Sequence, residues 1–191
     1  MKTVFFDIDT QLDFLYPAGA LYVRGAERLV PQIARLNRFA AANGIPVIST
    51  VDAHTEDDPE FRTWPHHCVA GATGQHKAES TVLERRITVV NTRRDFALDG
   101  VQQIVLEKQT VDAFTAVNLP AILKLLAADR FVVYGVVTEI CVHHAARGLL
   151  KLNKPVTIVT DAIESLSPTA SAETLATLGS AGATFALTAD F

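Results

Sequence analysis

The strongest constraint on the fold is an alternation. Short runs dominated by Val, Ile, Phe and Thr are separated by longer stretches whose apolar residues recur at helical spacing. A strand buried on both faces reads as a continuous apolar run, and successive parallel strands need a crossover that is usually a helix. The chain is therefore α/β, and the expected architecture is a doubly wound, Rossmann-like, six-stranded and mainly parallel sheet with helices on both faces. Strands are expected at Thr3–Ile8, Pro46–Val51, Gln103–Lys108, Phe131–Val136, Pro155–Thr160 and Ala183–Leu187. A helix is expected from about Glu27 to Ala42, with Leu29, Ile33, Leu36 and Ala40 on one face and Asn43-Gly44 as its stop. Others are expected at Leu119–Ala128, Glu139–Lys151 and Pro168–Leu178, the last opened by Ser167 as cap.

The stretch from Ala53 to Gln102 has no clean period and is rich in His, Pro, Gly and charge, so it reads as a long functional excursion between the second and third strands. No repeat, low-complexity segment or linker interrupts the alternation, and residues 1–191 are expected to form one domain. The 17 Lys and Arg against 21 Asp and Glu give a net charge of -4 and no basic block, which argues against a nucleic-acid partner. No apolar run approaches the roughly 20 residues that cross a bilayer, so a cytoplasmic protein without a membrane partner is expected. Two cysteines, Cys68 and Cys141, are too few for a disulfide scaffold at this length and leave a chemical use for a thiol open.

Ligands of open α/β sheets bind beyond the carboxyl ends of the strands, and here those ends are reactive. The first carries Asp7-Ile8-Asp9, the second Asp52-Ala53-His54, the third Glu107-Lys108, and the fourth Gly135-Val136-Val137-Thr138 with Cys141 just beyond. Asp7 and Asp9 point the same way if the strand persists, and a turn at Asp9 breaks that rule. Cys141 falls in the first turn of an expected helix, where unpaired N–H groups and the helix dipole favour a thiolate. With Lys108 to lower its pKa and Asp9 to take its proton, it makes an activated nucleophile; as a lone cysteine it reads equally as a small buried hydrophobe.

Asp52, His54 and His67 are suitable ligands for a divalent transition ion, although a D-x-H triplet by spacing alone is more often a surface turn. Phe14 and Trp64 offer flat walls for a small aromatic ligand, or ordinary packing beneath a loop. A rival reading takes Phe5-Phe6-Asp7-Ile8-Asp9-Thr10 as the first motif of a haloacid-dehalogenase-like phosphatase, with Asp7 as nucleophile, Asp9 as acid/base and a magnesium ion held with the help of further acids after a later strand. The best later acidic segment for it, Thr157 to Glu164, lacks the usual Gly-Asp and paired acid.

Four segments together resemble the isochorismatase-like cysteine hydrolases, and within them the nicotinamidases. Asp9-Thr10-Gln11-Leu12-Asp13-Phe14 with Pro17-Ala18-Gly19-Ala20-Leu21 is similar to their D-x-Q-x-D-F and P-x-G-x-L segment. Asp52-Ala53-His54 is similar to the metal pair, the Trp64 to Gly74 stretch to the segment with the third protein ligand, and Gly135 to Val142 to the block with the nucleophile. The resemblance implies Cys141 as nucleophile, Asp9 as proton acceptor and donor, and Lys108 as the cation beside them. It also implies a cis peptide between Val136 and Val137, with the N–H groups of Val137 and Cys141 facing an oxyanion.

By the same resemblance, Asp52, His54 and His67 hold one divalent ion, zinc with iron or manganese as alternatives, and Phe14 and Trp64 flank the substrate ring. The implied reaction is hydrolysis of a small-molecule amide, nicotinamide first, in NAD salvage, by a homo-oligomer. A carbamoyl or ureido substrate is the alternative. Gln109 to Phe114 departs from the Tyr-Ser form common in nicotinamidases, and Glu60 stands where a further ligand His sometimes occurs, which leaves substrate and coordination number open.

Overall fold

A computed structural model describes residues 1–191. Its strands are β1 (Thr3–Ile8), β2 (Val47–Asp52), β3 (Arg86–Val89), β4 (Gln103–Lys108), β5 (Arg130–Val136), β6 (Val156–Glu164) and β7 (Thr184–Ala186). They form one seven-stranded sheet in the order β3-β4-β2-β1-β5-β6-β7, with every neighbouring pair parallel. The strand beyond the expected six is β3. Its Arg-Ile-Thr-Val sequence lies at the sheet edge and only Val89 is buried, so it has neither the length nor the apolar run that marks a strand in sequence. β6 continues past Thr160 to Glu164, across a register shift against β5 between Val133 and Gly135.

The α-helices are α1 (Leu12–Leu15), α2 (Val30–Ala42), α3 (Leu119–Leu126), α4 (His143–Lys151) and α5 (Pro168–Ser180). Pro31 stands in the first turn of α2, where a missing N–H costs nothing, and the preceding Ala26–Leu29 is a 3₁₀ turn rather than helix. The Ser167 hydroxyl accepts from the Ala170 N–H at 3.3 Å and caps α5. Strand alternation divides the core in two. Phe5, Val47 and Tyr134 pack with Ile33, Leu36 and Ala40 of α2, while Val4, Phe6 and Ile8 face Leu119 and Ile122 of α3, Ala145 and Leu149 of α4, and Leu178 of α5. Truncating a fully buried member such as Leu36 to Ala would cost about 2–5 kcal/mol.

β1 is central, with β2 beside it on one side and β5 on the other. This is the reversal of strand order at which ligand crevices form. The carboxyl ends of four adjacent strands, β4, β2, β1 and β5, carry Lys108, Asp52, Asp9 and the Cys141 turn to one place. β1 and β5 approach closely there: Gly135 has φ +121°, and a Cβ on it would run into the Ile8 backbone. No helix is long and apolar enough to cross a membrane.

Candidate active site

The two first-strand carboxylates part company because the strand stops at Ile8. Asp9 has φ +50°, so the chain turns there and its side chain no longer follows the alternation. Asp7 is wholly buried and fully engaged: its Oδ2 accepts from Asn37 at 3.1 Å and Ser49 at 3.0 Å and pairs with Lys77 at 2.9 Å, while Oδ1 accepts from Thr10 at 2.7 Å. This removes the phosphatase reading, since the nucleophile it needs is an anchor for the 77–81 segment. Asp161, from the acidic stretch proposed to hold magnesium, instead accepts from the Thr188 N–H and hydroxyl at 2.7 and 2.8 Å.

Asp9 turns toward β2 and β4. Its Oδ1 accepts from the Thr50 hydroxyl at 2.6 Å, and its Oδ2 lies 2.9 Å from the Lys108 ammonium without a hydrogen bond aligned on it. One oxygen of a buried carboxylate is thus fixed and the other is left open to a proton. Lys108 is wholly buried, donates to Asp52 Oδ1 at 2.5 Å and to the Thr110 carbonyl at 2.9 Å, and is in register with Asp52 across β4 and β2. Burial opposes its charge, but the Asp52 and Asp9 carboxylates overcome that cost and hold the ammonium protonated well above the usual lysine range. Burial likewise pushes Asp52 up to about 7, against the pull of Lys108.

Cys141 does not open a regular helix. Thr138–Val142 is a π-helical turn, a wider form frequent at functional sites, and α4 starts after it at His143. The peptide between Val136 and Val137 is cis, and the Val137 N–H donates to no group within the chain. Cys141 is 8% exposed and lines the pocket described below. The expected resting thiolate is not what the site favours. Burial pushes the thiol well above its usual range, Lys108 lowers it, and Asp9 and Asp52 raise it again. The sequence supplied the cation but gave no measure of burial or of the second carboxylate. The other thiol, Cys68, is wholly buried and also pushed up by burial.

Asp52, His54 and His67 converge with ligand atoms within 4.8 Å of one another. Asp52 Oδ2 lies 4.0 Å from both His54 Nε2 and His67 Nε2. His67 Nδ1 sits 2.7 Å from the Pro65 carbonyl, which fixes the proton there and leaves Nε2 as acceptor. His54 is wholly buried, yet neither ring nitrogen has a hydrogen-bond partner. An orphaned buried imidazole beside a carboxylate and a second acceptor nitrogen is costly without a cation, so these residues fit a divalent ion. The carboxylate closest to this cluster from the following loop is Asp58, not Glu60, with its Oδ2 3.1 Å from His54 Nδ1. Glu60 is half-buried and raised by that burial, and it stands outside the converging ligand set.

A small pocket joins the two groups: Cys141, Asp52 and His67 all line it. Its other walls are apolar and include Phe14, Trp64, Val111, Ile140 and Leu166. Two residues of the opening motif act on loops instead of on ligands. Gln11 donates to the Asp52 and Gln75 carbonyls at 2.8 Å each and accepts from the Asp52 N–H at 2.7 Å. Asp13 accepts from the N–H groups of Ala20 at 2.9 Å and Cys68 at 2.7 Å, and a Cβ at Gly74 would strike its carboxylate. Sequence reasoning missed the clamps Thr50, Gln11 and Asp13 and the contact of Asp58, none of which is defined until distant segments meet. His143 and His144 lie in α4, and His76 in the loop before Lys77, outside the cluster.

The fold and site define an isochorismatase-like hydrolase architecture. The isochorismatase domain model matches residues 3–190, and the chain belongs to that family. It is similar to a probable inactive nicotinamidase of Arabidopsis thaliana, 25% identical over 170 residues, covering 87% of this chain and 83% of that protein. Among solved structures, a nicotinamidase/pyrazinamidase from Bacillus subtilis superposes with a TM-score of 0.84 at 26% identity, covering 97% of this chain and 100% of the other. A pyrazinamidase of Pyrococcus horikoshii in complex with zinc has the same fold, with a TM-score of 0.84 at 24% identity over 98% and 99% of the two chains.

Proposed function

We propose that the protein is a cysteine-dependent amidohydrolase that converts nicotinamide to nicotinate and ammonia. The observation that carries this reading is the shared pocket: a thiol and two members of a metal-type cluster border one small space whose remaining walls are apolar. A flat heteroaromatic amide suits it, with the carbonyl at Cys141, the ring against Phe14 and Trp64, and the ring nitrogen toward Asp52, His54 and His67. The nearly unbroken apolar lining favours a ring over a carbamoyl or ureido compound, whose polar edges would find few partners.

In the proposed reaction Asp9 takes the Cys141 proton as Sγ attacks the amide carbonyl carbon, and the C=O electron pair moves onto oxygen. The N–H groups of Val137 and Cys141 face that oxyanion; losing one such donor typically costs about 10²–10³ in rate. Asp9 then gives the proton to the amide nitrogen, the C–N bond breaks and ammonia leaves a thioester. Water attacks the thioester while Asp9 accepts its proton, the C–S bond breaks, and the proton returns to Sγ. Lys108 stays protonated throughout and offsets the charge of Asp9 and Asp52. A divalent ion held by Asp52, His54 and His67, with zinc first, would supply a Lewis-acidic anchor for the ring nitrogen, directly or through water.

Ammonia release should be measured for zinc-loaded protein across nicotinamide, pyrazinamide, benzamide, biuret and N-carbamoyl compounds. The two heteroaromatic amides should exceed the rest in kcat/KM by about tenfold to a hundredfold. Turnover confined to biuret or N-carbamoyl compounds would reassign the substrate, and no ammonia from any amide would remove the reading.

A further inference from the structure

We propose that Asp58 is a positioning residue for the metal cluster, holding His54 in the tautomer and orientation that turn Nε2 toward Asp52 and His67. The inference rests on the reading of Asp52, His54 and His67 as a metal site and adds a residue outside that ligand set.

The two imidazoles of the cluster are treated alike on their outer edges. His67 Nδ1 meets the Pro65 carbonyl at 2.7 Å, and His54 Nδ1 meets Asp58 Oδ2 at 3.1 Å. On their inner edges both Nε2 atoms stand 4.0 Å from Asp52 Oδ2. Because His54 is wholly buried and neither nitrogen is hydrogen-bonded, the tautomer it adopts follows from what each nitrogen faces. One arrangement satisfies both: Nδ1–H toward the carboxylate, and the Nε2 lone pair toward a cation. The 3.1 Å separation is within hydrogen-bond reach of such an N–H.

Asp58 is itself held in place. Its Oδ1 accepts from the Glu60 N–H at 2.9 Å and caps the short 3₁₀ turn Pro59–Arg62. That turn carries Phe61, whose ring lies 5.2 Å from His54 and 5.7 Å from His67 and stacks on His66 at 4.1 Å. One carboxylate therefore divides its oxygens between the turn that walls the histidines with an aromatic ring and the ring nitrogen of one of them. Outer partners of this kind typically govern metal affinity by about 10–100-fold.

The test uses the purified full chain, stripped by chelator and titrated with zinc against a competing indicator. Asp58→Ser keeps a cap for the Glu60 N–H but is too short for His54; Asp58→Asn keeps both the cap and an acceptor; Asp58→Ala loses both. Zinc affinity should fall about 10–100-fold in the Ser and Ala variants and much less in Asn, while the metal-free melting temperature of Asp58→Asn stays at the wild-type value. The cobalt(II) visible spectrum of the Ser variant should also change as His54 loosens. Wild-type zinc affinity in Asp58→Ser, or equal loss in all three variants, overturns the positioning role. Absence of stoichiometric zinc in the wild-type protein overturns the metal reading beneath it, and is seen before any variant is made.

Discussion

Asp52 and Lys108 are register partners across β2 and β4, and their side chains meet at 2.5 Å. One Asp52 oxygen is thereby given to the cation that also faces Asp9 at 2.9 Å, and the other stands 4.0 Å from two imidazole nitrogens. The thiol side of the site and the metal side share one buried charge.

Lys108→Met should therefore disturb both sides. It leaves two buried carboxylates without their cation, and breaking such a pair typically costs about 3–5 kcal/mol. The Cys141 thiol, which burial pushes up and the Lys108 charge pulls down, should become still harder to ionise. Urea denaturation and the rate of iodoacetamide alkylation against pH check the two effects, and a variant as stable and as alkylatable as wild type contradicts both.

Asp9→Asn should act with opposite sign on the thiol. Removing that carboxylate removes one of the influences that raise the Cys141 pKa, so alkylation at neutral pH should quicken. Turnover should nonetheless fall by about 10²–10⁴, because the proton has no acceptor at attack and no donor for ammonia. In wild type, alkylation of Cys141 should be slow at neutral pH and rise toward alkaline pH. A thiolate titrating below neutrality would contradict the charge assignment.

The raised Asp52 group gives a pH signature to the metal-free protein. Its folded value of about 7 lies above the ordinary 3.8, so the folded state holds the proton more tightly than the unfolded chain. That contribution to stability is complete below about pH 4 and is lost as pH rises through about 7. Zinc requires the ionised carboxylate, so its affinity should rise over the same interval with proton release. Melting curves and zinc titrations at a series of pH values measure both, and a pH-independent zinc affinity across the interval counts against the ligand assignment.

Asp7→Asn should lower stability and spare chemistry. It leaves Lys77 buried without its counter-charge, a change in the range of about 3–5 kcal/mol, while kcat/KM of the folded fraction should stay within a few-fold. Loss of turnover in a variant of wild-type stability would return Asp7 to the reaction.

Much of this was legible in the chain because the four strands that bring the site together are long apolar runs, and the residues just past them are charged. Their order in space put Asp9, Asp52, Lys108 and Cys141 side by side. β3 was not legible, since an edge strand of four residues needs no continuous apolar run. The direction of Asp9 depended on a positive φ at a non-glycine residue, which no pattern announces. Thr50, Asp58 and Gln11 are ordinary polar residues whose roles exist only in their partners. The protonation of Cys141 turned on burial, a property of the folded state.

The central claim is that Cys141 carries the hydrolysis. Ammonia release from nicotinamide by zinc-loaded wild type, Cys141→Ala and Cys68→Ala tests it most directly. Wild type and Cys68→Ala should turn over at comparable rates, and Cys141→Ala should fall to the uncatalysed background. Near-wild-type turnover in Cys141→Ala would contradict the account.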